Sequence, residues 1–344
     1  MDQAPGNKQS IMGMQHTPCL VTEIIPVFNP VSTLDRAIES ALRQTVHDTE
    51  VLIVDDGSRD SSLALAREFA ATDHRIEVIA LPRNQGKSHA MNTAIARARG
   101  RWIAVLDADD WYEPDRLAVL VSEGEAFGVP LVADNQYFHD EAANRVVRTA
   151  FPSRQVHTFL TRQTFIMGSD PYAEFNYGML KPVIRGSFVR EHGLAYRENA
   201  RLSEDFLYLV EFLAAGGTGL LVSRPLYHWT QSFGSISRQW TTTGAGNWRY
   251  DFQSALIANS EVRKLLRLRG DTALVQLLDA RARAFRHLHH MSKISRMQAA
   301  RVGAWRTAGA IARHPSIWPR LAQRLLRTAW RHNATLKINN DIVM

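Results

Sequence analysis

Three short acidic clusters in this 344-residue chain are where chemistry can be done. Asp107, Asp109 and Asp110 close the apolar run Trp102–Leu106. Carboxylates this close repel one another unless a cation joins them. A hard divalent ion takes oxygen ligands and keeps substrate phosphates in its shell. Such an ion, held by Asp107 and Asp109, would neutralise a departing diphosphate. Two unpaired charges at a strand end are otherwise expensive to bury. Asp110 stands before Trp-Tyr-Glu-Pro, where it can equally cap the next helix. In the second cluster, Asp55-Asp56-Gly57-Ser58, a carboxylate can accept bonds from a base or ribose. The same residue types also make a plain strand-to-helix turn. Lys87 follows Asn84-Gln85-Gly86 and opens a helix, a place where a phosphate is met; a solvated surface lysine is the alternative. Glu204-Asp205 lies in LSEDFLYLVEFL. Asp205 is the candidate general base, with Phe206, Leu207, Leu209 and Val210 packed beneath it. The competing account is that acids simply suit a helix N-terminus. His228 is either a third metal ligand or a half-buried strand histidine. Ser235 and Ser237 can touch phosphate oxygens or belong to a flexible loop.

These residues need a frame. Leu20–Phe28, Glu50–Val54, Arg75–Leu81 and Trp102–Leu106 read as buried strands. Between them lie helices over Leu34–Leu42, with Ser32 or Thr33 as cap, Ser61–Ala71 and Lys87–Arg99. Gly100 would close the last of these in a left-handed conformation. Pro114 would open a fourth helix. Strand and helix in alternation predict a parallel sheet flanked by helices, an α/β fold. Ligands of such sheets bind beyond the carboxyl ends of the strands. Pro26–Asn29, Asp55–Ser58 and Asp107–Asp110 sit at those ends and should share one crevice. Leu131–Phe138, a hairpin partner over Asn144–Thr149, a helix over Ser203–Ala214 and a strand over Leu220–Trp229 follow. From about Asn247 the chain reads as helical.

Composition narrows the classes. The hydrophobic fraction is 45%, enough for a sizeable core. Cys19 is the lone cysteine, which excludes internal disulfides and thiolate zinc sites and suits a reducing compartment. No signal pattern or apolar run long enough to span a bilayer appears. The net charge of +7 is uneven: 13 of the 41 Lys and Arg fall in Arg281–Asn340, which holds no Asp or Glu. The remainder is mildly acidic, which argues against a nucleic-acid groove there.

The combination of segments resembles glycosyltransferase family 2, with the GT-A fold. They are IIPVFN (Ile24–Asn29), LRQT (Leu42–Thr45), VLIVDDGSRDSS (Val51–Ser62), NQGKSHAMNTAI (Asn84–Ile95), GRWIAVLDADDWYEPDRL (Gly100–Leu117) and LSEDFLYL (Leu202–Leu209). The resemblance implies a nucleoside pocket lined by Pro26 and Phe28, a uracil contact at Asp56, and an Asp-x-Asp pair at Asp107 and Asp109. Asp109 would be the more direct ligand of Mg or Mn. Asp205 would deprotonate the acceptor, with inversion in a single displacement. Glu23 departs from the family's apolar first strand. Met91 stands where many members carry arginine, and Lys87 would substitute in holding diphosphate. KPVIRGSFVREHGLAY (Lys181–Tyr196) and the length are similar to bacterial exopolysaccharide transferases of the succinoglycan type.

The resulting expectation has three parts. Residues 1–17 form a flexible tail. Residues 18–240 form the catalytic domain, divided into a nucleotide-binding half (18–117) and an acceptor half (118–240). Residues 241–344 form a helical, basic extension. The activity expected is hexose transfer from a UDP-sugar to a lipid-linked saccharide acceptor, in the cytoplasm at the inner face of the cell membrane. Trp305, Trp318 and Trp330 interleave with the basic residues of Arg281–Asn340, a pattern suited to an anionic membrane surface. Packing of that region on the core, or nucleic-acid binding, are its alternatives. A nucleotidyltransferase would use similar carboxylates but usually shows an early glycine-rich basic loop, which Pro26–Ser32 is not. A non-catalytic membrane scaffold would make the acidic clusters coincidental.

Overall fold

A computed structural model describes residues 19–141, 143–151, 157–169, 175–231 and 252–299. The first half alternates strand and helix: β1 (Val21–Val27), α1 (Leu34–Leu42), β2 (Thr49–Asp55), α2 (Ser62–Thr72), β3 (Ile76–Ala80), α3 (Lys87–Ile95) and β4 (Trp102–Val105). These four strands lie parallel in the order β3-β2-β1-β4. β2 is buried along its whole length, as a parallel strand covered on both faces must be.

The second half extends the same sheet. It comprises β5 (Trp111–Tyr112), α4 (Arg116–Ala126), β6 (Leu131–Asp140), β7 (Arg145–Thr149), β8 (His157–Leu160), α5 (Arg162–Met167), β9 (Val183–Arg185), α6 (Gly186–Glu191), α7 (Glu204–Ala214) and β10 (Gly219–Gln231). β9 runs antiparallel between β4 and β6, and β10 returns parallel to β6. β7 pairs with β6 as the hairpin partner expected from Asn144–Thr149. Two helices, α8 (Phe252–Leu268) and α9 (Thr272–Ala299), pack together after the sheet. A small apolar cluster of Phe252, Ala255 and Phe285 joins them, with Leu202 against it. Among the described residues no helix is long and apolar enough to cross a membrane.

Several local expectations change. Helix α3 ends at Ile95, so Gly100 caps nothing. Gly100 is needed for close approach instead: a Cβ there would stand 2.3 Å from the Thr22 backbone nitrogen. Thr33 occupies the N-cap of α1 without capping it. Its hydroxyl donates across to the Ala108 carbonyl at 2.9 Å, tying α1 to the acidic loop. After that loop the chain forms the two-residue β5 against β10 before α4 begins at Arg116, two residues beyond Pro114.

Candidate active site

The carboxyl ends of β1, β2 and β4 open on one cavity of about 1120 Å³. Pro26, Phe28, Asp56, Lys87, Asp107, Asp109 and Asp205 all line it. These seven of the residues singled out for donor, metal and base roles are therefore brought together. Phe28 is 49% exposed, an open aromatic face at the wall. Asp56 is buried, and its two oxygens accept the backbone N–H groups of Gln85 and Gly86, each at 2.7 Å. Asp56 thus shapes the turn that delivers Lys87, while each oxygen keeps a lone pair for a ligand.

At the centre, two lysines bridge two acids. Lys87 Nζ lies 2.8 Å from Asp107 Oδ1, 3.2 Å from Asp205 Oδ2 and 3.7 Å from Glu204 Oε1. Lys181 Nζ lies 2.7 Å from both Asp107 Oδ2 and Asp205 Oδ2. Burial works against the charge on Asp205, but Lys181 and Lys87 outweigh it and hold the carboxyl below its usual range. The same balance of burial against Lys181 and Lys87 depresses Asp107. Glu204 goes the other way, raised by burial and by neighbouring Asp205.

Asp109 differs from its neighbours. Its carboxylate forms no ion pair among the described residues, and burial with the Asp107 charge raises its pKa. Asp107 has a lysine on each oxygen. No group of three or more His, Cys, Asp or Glu converges to hold an ion among the described residues. That donor set fits Mg or Mn arriving with phosphate oxygens, since such ions are commonly held by one or two carboxylates plus substrate. Asp109, unpaired among the described residues, would hold such an ion, and Asp107 would be a second ligand once a lysine moved off it.

A family model described as "Glycosyl transferase family 2" matches residues 22–181. The succinoglycan biosynthesis protein ExoU of Rhizobium meliloti is 30% identical over 318 residues, covering 90% of this chain and 87% of that protein. The chain belongs to glycosyltransferase family 2. ExoO from the same organism, also a succinoglycan biosynthesis protein, is 38% identical over 221 residues. That alignment covers 63% of this chain and 62% of ExoO. Among solved structures, Staphylococcus aureus TarS with UDP-GlcNAc superposes with a TM-score of 0.57 at 16% identity, over 76% of this chain and 72% of that one. A Pyrobaculum calidifontis mannosyltransferase, PcManGT, with GDP-Man and Mn2+ gives 0.51 at 18% identity, over 88% and 81%. These two likenesses show the GT-A fold.

In this family 2 glycosyltransferase, the third aspartate of the Asp107–Asp110 cluster serves architecture. Asp110 is 1% exposed, accepts the Tyr227 hydroxyl at 2.6 Å and accepts the Thr230 N–H at 2.7 Å. It caps no helix; it pins β10 to the acidic loop. His228 pairs through Nε2 with Glu113 Oε1 at 2.8 Å and stacks on Trp111 at 4.5 Å. Those contacts, away from the cavity wall, replace the third-ligand reading with the half-buried strand histidine. Met91 is fully buried, so its position meets the core while Lys87 faces the site. Ser235 and Ser237 lie outside the described residues. Lys181 and Arg281, both lining the cavity, carried no role in the sequence. Lys181 opens the quoted segment Lys181–Tyr196, but a lone lysine outside a motif gives no signal of its own.

Proposed function

We propose that this glycosyltransferase moves a hexose from a UDP-sugar to a saccharide hydroxyl with inversion, in the synthesis of an exopolysaccharide, with a lipid-linked acceptor. The observation that carries the reading is the Asp107–Lys181–Asp205 bridge. It places an ionised carboxylate beside a cationic, carboxylate-lined pocket in one cleft. Inverting transfer needs one base and a stabilised leaving group, and no enzyme nucleophile. Asp205 accepts the acceptor proton. Lys87 and Lys181 are placed to meet diphosphate oxygens. Phe28 and Pro26 pack the nucleoside, and Asp56 accepts from the base. A divalent ion, held by Asp109 with Asp107, would supply charge neutralisation for the departing diphosphate. The succinoglycan roles of ExoO and ExoU support the exopolysaccharide assignment. The UDP-GlcNAc and Mn2+ complexes of TarS and PcManGT support the cofactors.

The test is UDP release from a panel of UDP-sugars with Mn, with and without lipid-linked acceptor. Asp205→Asn should retain UDP affinity and lose transfer by about 100-fold or more, the usual scale of a general base. Asp109→Ala should lose the metal dependence of UDP binding. Full transfer by Asp205→Asn would refute the base assignment.

A further inference from the structure

Arg281 sits on α9, outside the segment matched by the family model, yet it forms part of the cavity wall. It is 6% exposed. Its Nη2 donates to Ser203 Oγ at 3.1 Å, while Nε and Nη1 are buried with no hydrogen-bond partner among the described residues. No ion pair with a described acid neutralises it. The guanidinium lies 3.7 Å over the Phe206 ring and 4.9 Å from that of Phe285. Burial draws its pKa down to about 9, which still leaves it charged at neutral pH. A buried cation without a counter-charge is costly, and a buried donor without an acceptor calls for an explanation. Ring stacking offsets part of that cost and supplies no acceptor.

Ser203 points the same way. It adopts a left-handed φ of 70° at the N-cap of α7, yet its side chain makes no capping bond. Serine at this position ordinarily accepts a helix N–H. Here its oxygen accepts from Arg281, and the hydroxyl proton remains to be donated. The acids that follow, Glu204 and Asp205, pair with Lys87 and Lys181. Asp107 and Asp205 share Lys181, and Ser203, two residues before Asp205 in the chain, carries the contact to Arg281. Arg281 therefore shares the cavity with Asp205 and touches the residues on either side of the Glu204-Asp205 pair, Ser203 and Phe206.

We propose that Arg281 and Ser203 form an oxyanion subsite for the acceptor, receiving a phosphate or carboxylate of the saccharide whose hydroxyl meets Asp205. This rests on the reading of Asp205 as base. A guanidinium fork matches both oxyanions in a bidentate way and has no acceptor with which to greet a neutral donor. Occupation would satisfy both free nitrogens and the charge together.

Calorimetric titration of the full chain with glucose 6-phosphate, glucuronate and glucose, at saturating UDP and Mn, tests it. One charged sugar should bind at least tenfold tighter than glucose. Arg281→Gln should erase that preference while UDP affinity stays within twofold, and Arg281→Lys should restore part of it. The better of the two charged probes identifies the oxyanion. Glucose binding as tightly as both charged sugars, or an unchanged preference in Arg281→Gln, would overturn the subsite. So would a loss of UDP affinity in a folded Arg281→Gln protein, which would assign Arg281 to the donor. If Arg281→Gln does not fold, Ser203→Ala provides the reading: a threefold or greater loss for the charged sugar supports the subsite, and wild-type affinity overturns it. Absence of UDP binding in the wild type would instead refute the donor assignment. The sugar series, repeated without UDP, would still decide the subsite.

Discussion

Glu23 on β1 presents both carboxylate oxygens to the interior without a hydrogen-bond partner among the described residues. Burial pushes its pKa well above the ordinary 4.5, with Arg116 and Arg75 opposing too weakly to reverse it. An acid raised on folding binds more protons folded than unfolded between its two pKa values. Stability therefore falls as pH climbs from about 4.5 toward the folded value. Glu23→Gln is neutral at every pH and removes that slope. Its thermal midpoint should exceed the wild type's by more at pH 8 than at pH 5, and parallel curves would contradict the assignment. Glu23 was legible as an anomaly because it interrupts an apolar strand. Asp107, Asp109 and Asp205 were legible because acids in runs are rarely accidental. Lys181 and Arg281 were not. Lys181 is a single basic residue in an ordinary stretch, and Arg281 is one of many in a basic one, so the meaning of each comes from what the fold lays beside it.

At the scale of elements, the strands and helices of the first half could be read from hydrophobic period alone. β5 and β9 could not, because two and three residues are too few to show a period. β9 matters most, since Lys181 sits just before it. What fixes Lys181 is an interior ion pair. Arg116 on α4 is fully buried, donates from Nε and Nη2 to Asp134 on β6, and donates from Nη2 to the Lys181 carbonyl. Arg116→Met strands the Asp134 charge and should cost about 3–5 kcal/mol. Adding Asp134→Leu replaces both charges by apolar groups and should recover most of that loss. Urea melts of the single and double variants check this. A double variant no more stable than Arg116→Met would mean that the pair is not coupled as its geometry implies.

At the scale of the whole molecule, the basic region Arg281–Asn340 divides in two. Its first turns belong to α9, where Arg281, Ala282, Ala284 and Phe285 are buried and Arg283 and Arg286 face outward. That spacing is the packed face of an amphipathic helix. For these turns the structure favours packing on the catalytic core. A cut near Ala280 would therefore remove a cavity wall as well as charge. Five of the 13 basic residues, Arg281 to Arg296, lie on α9; the other eight, from Arg301 to Lys337 with no acid among them, lie outside the described residues. We propose that they carry the attraction to an anionic membrane, at up to about 1 kcal/mol per Lys or Arg close to the surface. A chain ending after Ala299 keeps α8, α9 and Arg281, so it separates the two roles. It should retain UDP binding and float poorly with vesicles rich in anionic lipid, whereas the full chain floats at low salt. Raising the salt to about 1 M, where the Debye length shrinks to about 3 Å, should release the full chain. Equal flotation of the two chains would place the membrane contact, if any, on the catalytic core. Salt-resistant flotation of the full chain alone would assign it to Trp305, Trp318 and Trp330 rather than to the arginines.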